Sequence, residues 1–226
     1  MQAAIFDMDG VIVDTNPYHR LAWRDYYGRY NRALSDADFV TYVSGKHNDA
    51  ILEHLFAGQT LSAADRLRLA YEKEALFRDL YKPHIAPAAG LIDFLNALRQ
   101  AGIRTAVATS APVENLDFVV DELQIRPYFD VLLHEKLVSR PKPDPEIYRK
   151  AMTMLGVDPT DSVVFEDSET GIRAARAAGA AVVGLTTTVP AAGLAGLVDL
   201  VIPDFTAIDR LRAYFPSLNY TRPAAT

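Results

Sequence analysis

Three observations predict an α/β protein with a doubly wound parallel sheet and an inserted all-helical cap domain. From Leu91 onward helical and strand patterns alternate, and several helices are closed by a glycine. Between Thr15 and about Tyr81 only helical spacing is found. Before both, a short apolar run, Ala3-Ala4-Ile5-Phe6, stops at Asp7-Met8-Asp9-Gly10, which reads as a buried strand ended by a turn. Alternation of this kind calls for parallel strands joined by helical crossovers. Ligands in such sheets sit at the carboxyl ends of the strands.

The elements follow in order. The first strand is Ala3–Phe6. The insertion, residues 15–82, has apolar positions at helical spacing in Tyr18, Leu21, Ala22 and Tyr26, and again in Leu67, Ala70, Tyr71 and Phe77. Ser35, Asn48 and Ser62 are its expected helix N-caps. Pro83 and Pro87 punctuate the return to the core domain, which takes residues 1–14 and 83–226. Helices are expected at Leu91–Gln100, 113–123, 145–155 and 170–178, with Gly102, Gly156 and Gly179 as stops. Strands are expected at 103–108, 129–133, Ser162–Glu166, 180–185 and 198–202, and a short helix at 207–214. An insertion after the first strand is placed to act as a lid that excludes water from the strand ends.

Composition removes several classes. With 226 residues the chain buries one full core and a small extra domain. The net charge of −6 and the lack of any Lys/Arg cluster speak against nucleic acid. There is no cysteine, so disulfides, thiolate metal sites and Cys nucleophiles are excluded. The first apolar run is too short for a signal peptide, and no stretch approaches a membrane span. A cytoplasmic protein, monomer or weak dimer, is expected, with no membrane partner.

The chemistry is concentrated at predicted strand ends. Asp7 and Asp9 repel each other and lose solvation there, a cost that a hard cation such as Mg²⁺ offsets. A calcium loop would need further oxygen ligands at alternate positions. Val11 and Val13 leave only Asp14 inside that stretch. The strand ending at Ala108 runs into Thr109-Ser110, two hydroxyls suited either to phosphate oxygens or to capping the next helix. Lys142 stands between Pro141 and Pro143, which stiffen its backbone. The strand ending at Phe165 runs into Glu166-Asp167, where Asp167 suits either a metal or a helix cap. Together these groups make a phosphate site: Lys142 and Mg²⁺ as cations, an acidic cage for the metal, and a carboxylate nucleophile.

The four segments resemble the motifs of the haloacid dehalogenase superfamily: Phe6-Asp7-Met8-Asp9-Gly10-Val11, Thr109, Lys142 in Lys-Pro-Asp-Pro, and Glu166-Asp167-Ser168 with Gly171-Ile172. The likeness covers nearly the whole chain. The insert resembles the small helical cap of the β-phosphoglucomutase-like group, whose first cap helix is similar to His19-Arg20-Leu21-Ala22-Trp23. The resemblance implies that Asp7 attacks phosphorus and forms an aspartyl-phosphate. It implies that Asp9 protonates the leaving oxygen and then takes a proton from water. Asp7, the backbone carbonyl of Asp9, and Asp167 with Glu166 would bind Mg²⁺. Thr109, Lys142 and Ser110 would hold phosphoryl oxygens.

The implied substrate is a small phosphorylated metabolite, and the implied activity is a phosphatase of sugar-phosphate-like esters. A phosphomutase with the same nucleophile is the alternative. Mutases of the group grip the distal phosphate with a cap Arg. The matching stretch here is Val43-Ser44-Gly45-Lys46-His47-Asn48, so Asn48 stands at that position with Lys46 and His47 beside it. Lys73 is a further cap cation, read as exposed. His19 is expected at the substrate or at Asp9, or otherwise simply at the hinge, and Trp23 in the cap core. A non-catalytic phospho-ligand sensor has no need of Asp7 and Asp9 together, and dehalogenation needs neither Asp9 nor the Glu166-Asp167 pair.

Overall fold

A computed structural model describes residues 1–43 and 48–216. The chain divides into two compact units: Met1–Asp14 with the chain from Ile85 onward, and Thr15–His84.

β1 (Ala3–Phe6) opens the first unit, and all four residues are buried. The second unit is then built from α1 (Asn16–Arg29), α2 (Asp36–Asp38), α3 (Asn48–Leu55) and α4 (Ala63–Tyr81). A π-helical turn at Phe39–Val43 follows α2 directly and carries no sequence signal of its own. Ser35 forms a reciprocal cap with Asp38, and Ser62 caps α4 by accepting from the Asp65 N–H. Asn48 is not a cap. It is the first residue of α3, and its side-chain amide donates to Glu74 Oε1 at 2.9 Å. The core of this unit is Trp23, Tyr26, Tyr27, Ile51, Leu52, Leu55, Phe56 and Leu69, with Trp23 edge-on to both tyrosines.

The first unit resumes with α5 (Leu91–Gln100) and β2 (Arg104–Ala108), then α6 (Val113–Glu122), β3 (Val131–Leu133) and α7 (Glu146–Leu155). β4 (Ser162–Glu166), α8 (Glu169–Ala178), β5 (Ala181–Leu185), α9 (Ala191–Leu194), β6 (Leu200–Ile202) and α10 (Ile208–Leu211) complete it. β3 starts two residues later than its apolar pattern suggests. Asp130 turns its carboxylate onto the Thr105 N–H at 2.9 Å, and a 3₁₀ turn at Arg126–Tyr128 takes up the preceding chain. The helix expected at 207–214 is one α turn preceded by a 3₁₀ turn.

The six strands lie in the order β3-β2-β1-β4-β5-β6, all parallel. The direction of winding reverses between β1 and β4, where open parallel sheets bind their ligands. Alternation sends Phe6 and its register partner Phe165 to one face, stacked at 4.8 Å, where Phe94 and Phe205 meet them. Ala3, Ile5 and Val164 point to the other face, onto Ile147, Tyr148 and Ala151 of α7 and Ile172 and Ala175 of α8. Both faces of β1 are thus covered, and Asp7 is delivered to the sheet edge by a strand with no freedom to slip. Among the described residues no helix is long and apolar enough to cross a membrane.

Candidate active site

β1 and β4 end side by side, and the Asp7 N–H continues the ladder to the Phe165 carbonyl at 3.0 Å. That pairing fixes Asp7 next to Glu166 and Asp167. The carboxylates of these three residues approach one another within 4.8 Å. The chain then turns back at once. The N–H groups of Val11, Ile12 and Val13 all reach the Met8 carbonyl, and Gly10 adopts φ +77°. A Cβ on Gly10 would lie 1.8 Å from Asp167 Oδ2, so glycine lets the first loop close against the acidic cluster.

Lys142 enters from the loop between β3 and α7. Its Nζ is 2.9 Å from Asp7 Oδ1, 2.7 Å from Glu166 Oε1 and 2.7 Å from the Tyr148 hydroxyl. These partners account for all three ammonium protons. Tyr148, on α7, in turn donates to Glu166 Oε1 at 2.5 Å. The other oxygen, Oε2, accepts from the N–H groups of Asp167 and Ser168 and from the Ser168 hydroxyl. Glu166 is therefore held at both ends. Ser168, rather than Asp167, is the cap of α8, accepting from the Gly171 N–H at 3.1 Å. That leaves the Asp167 carboxylate facing the cluster.

The charges explain what the cluster lacks. Asp7, Glu166, Asp167 and Lys142 are all buried, three anions against one cation. Burial is the main force on Asp7. It raises the pKa to about 7 against the pull of Lys142, with help from Glu166 and Asp9. Burial also lifts Asp167 to about 8, with Glu166, Asp7 and Asp9 adding to it. Burial disfavours the charge on Lys142, yet Asp7 and Glu166 outweigh it and raise its pKa. A divalent cation bound here would offset that excess of negative charge. An all-oxygen donor set in a chain without cysteine suits a hard ion such as Mg²⁺.

A stability test follows from these shifts. Asp7 and Asp167 bind protons in the folded state at pH values where the unfolded chain has released them. Raising the pH from about 4 to about 8 therefore destabilises the metal-free protein. In EDTA the Tm is expected to fall across that window. The rise in Tm on adding Mg²⁺ should grow over the same window, and a Mg²⁺ effect independent of pH would contradict this account.

Thr109 directly follows β2, the neighbour of β1. Its hydroxyl does not cap α6, whose N-cap is Pro112; it accepts from the Ala111 N–H at 3.0 Å. Ser110 follows, half-buried, and does not cap α6 either. Two further residues touch the acidic cluster. Tyr148 lies six residues beyond Lys142 on the buried face of α7, between Ile147 and Ala151 in the core pattern. Thr188 lies just past β5, in Thr186-Thr187-Thr188, and its hydroxyl donates to Asp167 Oδ2. The second shows the same signal as Thr109, hydroxyls following an apolar strand.

The helical unit has its own polar cluster. Lys73 is buried, not exposed, and pairs with Glu74 Oε1 at 2.9 Å. Its Nζ is also 2.9 Å from His19 Nδ1 and 4.8 Å from the Trp23 ring centre. His19 stacks on Phe77 at 3.8 Å. Although burial resists the charge on Glu74, Lys73, His19 and Asn48 hold its pKa down at about 2. Lys46 and His47 lie outside the described residues.

A family model of haloacid dehalogenase-like hydrolases matches residues 1–179. The chain belongs to the haloacid dehalogenase-like hydrolases. Among the similar members of this hydrolase family is the validoxylamine A 7'-phosphate phosphatase of Streptomyces hygroscopicus subsp. limoneus. It is 32% identical over 92% of this chain and 95% of its own length. The β-phosphoglucomutase of Bacillus subtilis is 30% identical over 89% of each chain. The structure of a family IA, variant 3 hydrolase from Entamoeba histolytica superposes with a TM-score of 0.87 at 28% identity, covering 96% of this chain and all of that one. The doubly wound core and the helical insertion are those of this hydrolase family, and this chain is an enzyme of it.

Proposed function

We propose that the protein is a Mg²⁺-dependent phosphatase that hydrolyses small, sugar-phosphate-like monoesters through an aspartyl-phosphate on Asp7. The observation that carries this reading is the buried set of Asp7, Glu166 and Asp167 around a single Lys142. A site so short of positive charge among its described residues suits a metal together with an attacking carboxylate and would be a costly arrangement for any structural purpose.

An Asp7 carboxylate oxygen attacks phosphorus, and the bond from phosphorus to the ester oxygen breaks. Asp9 gives its proton to the departing oxygen. In the second half Asp9 takes a proton from water as that water attacks phosphorus, and the Asp7–phosphorus linkage opens to release inorganic phosphate. Thr109, Ser110 and Lys142 bind phosphoryl oxygens. Lys142 transfers to them the N–H that it otherwise spends on Asp7 Oδ1. Asp7, Asp167 and the Asp9 carbonyl would hold Mg²⁺, with Glu166 in support, and the ion would supply positive charge against the phosphoryl group.

Water, rather than a second sugar phosphate, is the acceptor in this reading. Asn48 stands where a mutase carries its cap Arg, and its amide is committed to Glu74. The nearby Lys73 is committed to the same carboxylate. A carboxylate in that cluster disfavours a distal phosphate.

The test uses β-glucose 1-phosphate with Mg²⁺ and a trace of glucose 1,6-bisphosphate, scoring free phosphate and glucose 6-phosphate together. Free phosphate without glucose 6-phosphate is expected. Glucose 6-phosphate forming faster than phosphate would make the protein a mutase. If neither forms, a panel of other sugar phosphates is the next assay, and inertness across the panel would overturn the reading.

A further inference from the structure

Asp167 is met from two sides, by the loop that carries the first motif and by the loop after β5, which none of the four motifs covers. β4 lies between β1 and β5, so loops from both neighbours reach its end. From the β1 side, Gly10 packs so closely on Asp167 Oδ2 that no side chain fits. From the β5 side, Glu166 is level with Gly184, which places the threonines that follow Leu185 alongside Asp167 and Ser168. Thr188 then turns its hydroxyl onto that same Oδ2. Thr188 is itself exposed, so its side chain reaches inward from the surface to a carboxylate that is 3% exposed.

We infer that Thr188 is a positioning residue for the metal: its hydroxyl fixes the plane of the Asp167 carboxylate and leaves Oδ1 as the ligand atom. This rests on the reading of Asp167 as a Mg²⁺ ligand. A carboxylate free to rotate presents either oxygen at any angle, and ordering it is part of the cost of binding an ion. A hydroxyl donor on one oxygen meets that cost beforehand. Partners of this kind behind metal-binding carboxylates typically change metal affinity by about 10- to 100-fold. An exposed threonine is otherwise among the residues whose replacement does least to a fold.

The experiment compares wild type, Thr188→Val and Thr188→Ser by direct Mg²⁺ titration of the metal-free protein, read by calorimetry and by the Mg²⁺-induced rise in Tm. Phosphatase activity against Mg²⁺ concentration is followed in parallel. Valine keeps the shape and removes the donor, and serine keeps the donor and removes the methyl. Thr188→Val should weaken Mg²⁺ binding by about tenfold and raise the Mg²⁺ needed for half-maximal activity equally. Turnover at saturating Mg²⁺ should recover to within about twofold, and Thr188→Ser should bind as wild type does. Equal Mg²⁺ affinity in wild type and Thr188→Val would overturn the inference. So would a serine variant as weak as the valine one, which would make packing the cause. A wild-type protein that binds no Mg²⁺ would instead remove the metal reading on which the inference rests.

Discussion

Asp7→Asn is expected to lower turnover by about a thousandfold or more while leaving the metal-free protein more stable than wild type. The two effects have one origin. The amide oxygen of asparagine is a poor nucleophile, so the covalent step is lost even if substrate binds. Meanwhile one of three crowded, buried anions disappears, and Lys142 keeps Glu166 and Tyr148 as partners. Removing the buried Asp7 charge, and with it the repulsion that adds to burial in raising Asp167, should lift the Tm in EDTA, most clearly toward the upper end of the pH window. Activity is measured by phosphate release and stability by thermal melts of both proteins. Residual turnover above about a hundredth of wild type would remove Asp7 as nucleophile. A fall in Tm would mean that Asp7 holds the site together instead of straining it.

The second large effect is expected at Gly171, where helix propensity and packing disagree. Gly171 lies inside α8 with an ordinary helical backbone, and an exposed helical Gly→Ala change normally stabilises by about 1 kcal/mol. Here a Cβ would stand 1.7 Å from Glu166 Oε1 and 2.0 Å from its Cδ. The carboxylate has nowhere to go: Lys142, Tyr148, Asp167 and Ser168 all bind it, and Glu166 has no exposed surface. Gly171→Ala should therefore destabilise by roughly 1–3 kcal/mol, the usual range for overpacking. It should also cost activity, because displaced Glu166 takes Lys142 with it. Thermal unfolding and phosphate release in Mg²⁺ check both. A variant as stable and active as wild type would show that Glu166 sits elsewhere.

Gly171 also illustrates how much of the site is legible in sequence. The spacing Glu166-Asp167-Ser168 to Gly171 is visible as a pattern, yet its reason is spatial: the glycine makes room for a carboxylate one helical turn away. The parallel sheet and its strand ends are legible because β1, β2, β4 and β5 are buried on both faces and read as continuous apolar runs. Lys142 stands out through its prolines. Tyr148 does not, since an aromatic residue on the buried face of a helix looks like core until its hydroxyl is located. Thr188 follows an apolar strand as Thr109 does, but it is one of three consecutive threonines, and the pattern does not say which of them turns inward. The insertion is read less well. Lys73 looks like a surface lysine, and only folding puts it against Glu74, His19 and Trp23. Asn48 looks like a cap, but a cross-helix carboxylate 26 residues away takes its amide.

The strand order has a consequence for synthesis. β1 leaves the ribosome before either of its two partners, which begin at Arg104 and Ser162. The helical unit is one unbroken stretch, Thr15–His84, and its core residues all come from within it. At about 5–20 residues per second, translation completes β4 about 8–30 s after β1. Until β2 and β4 are made, the segment bearing Asp7 lacks its sheet partners and stays tethered to the helical unit made before them. A nascent chain of this protein is therefore exposed to mispairing and to chaperone capture at β1, a strand whose four residues all end up buried.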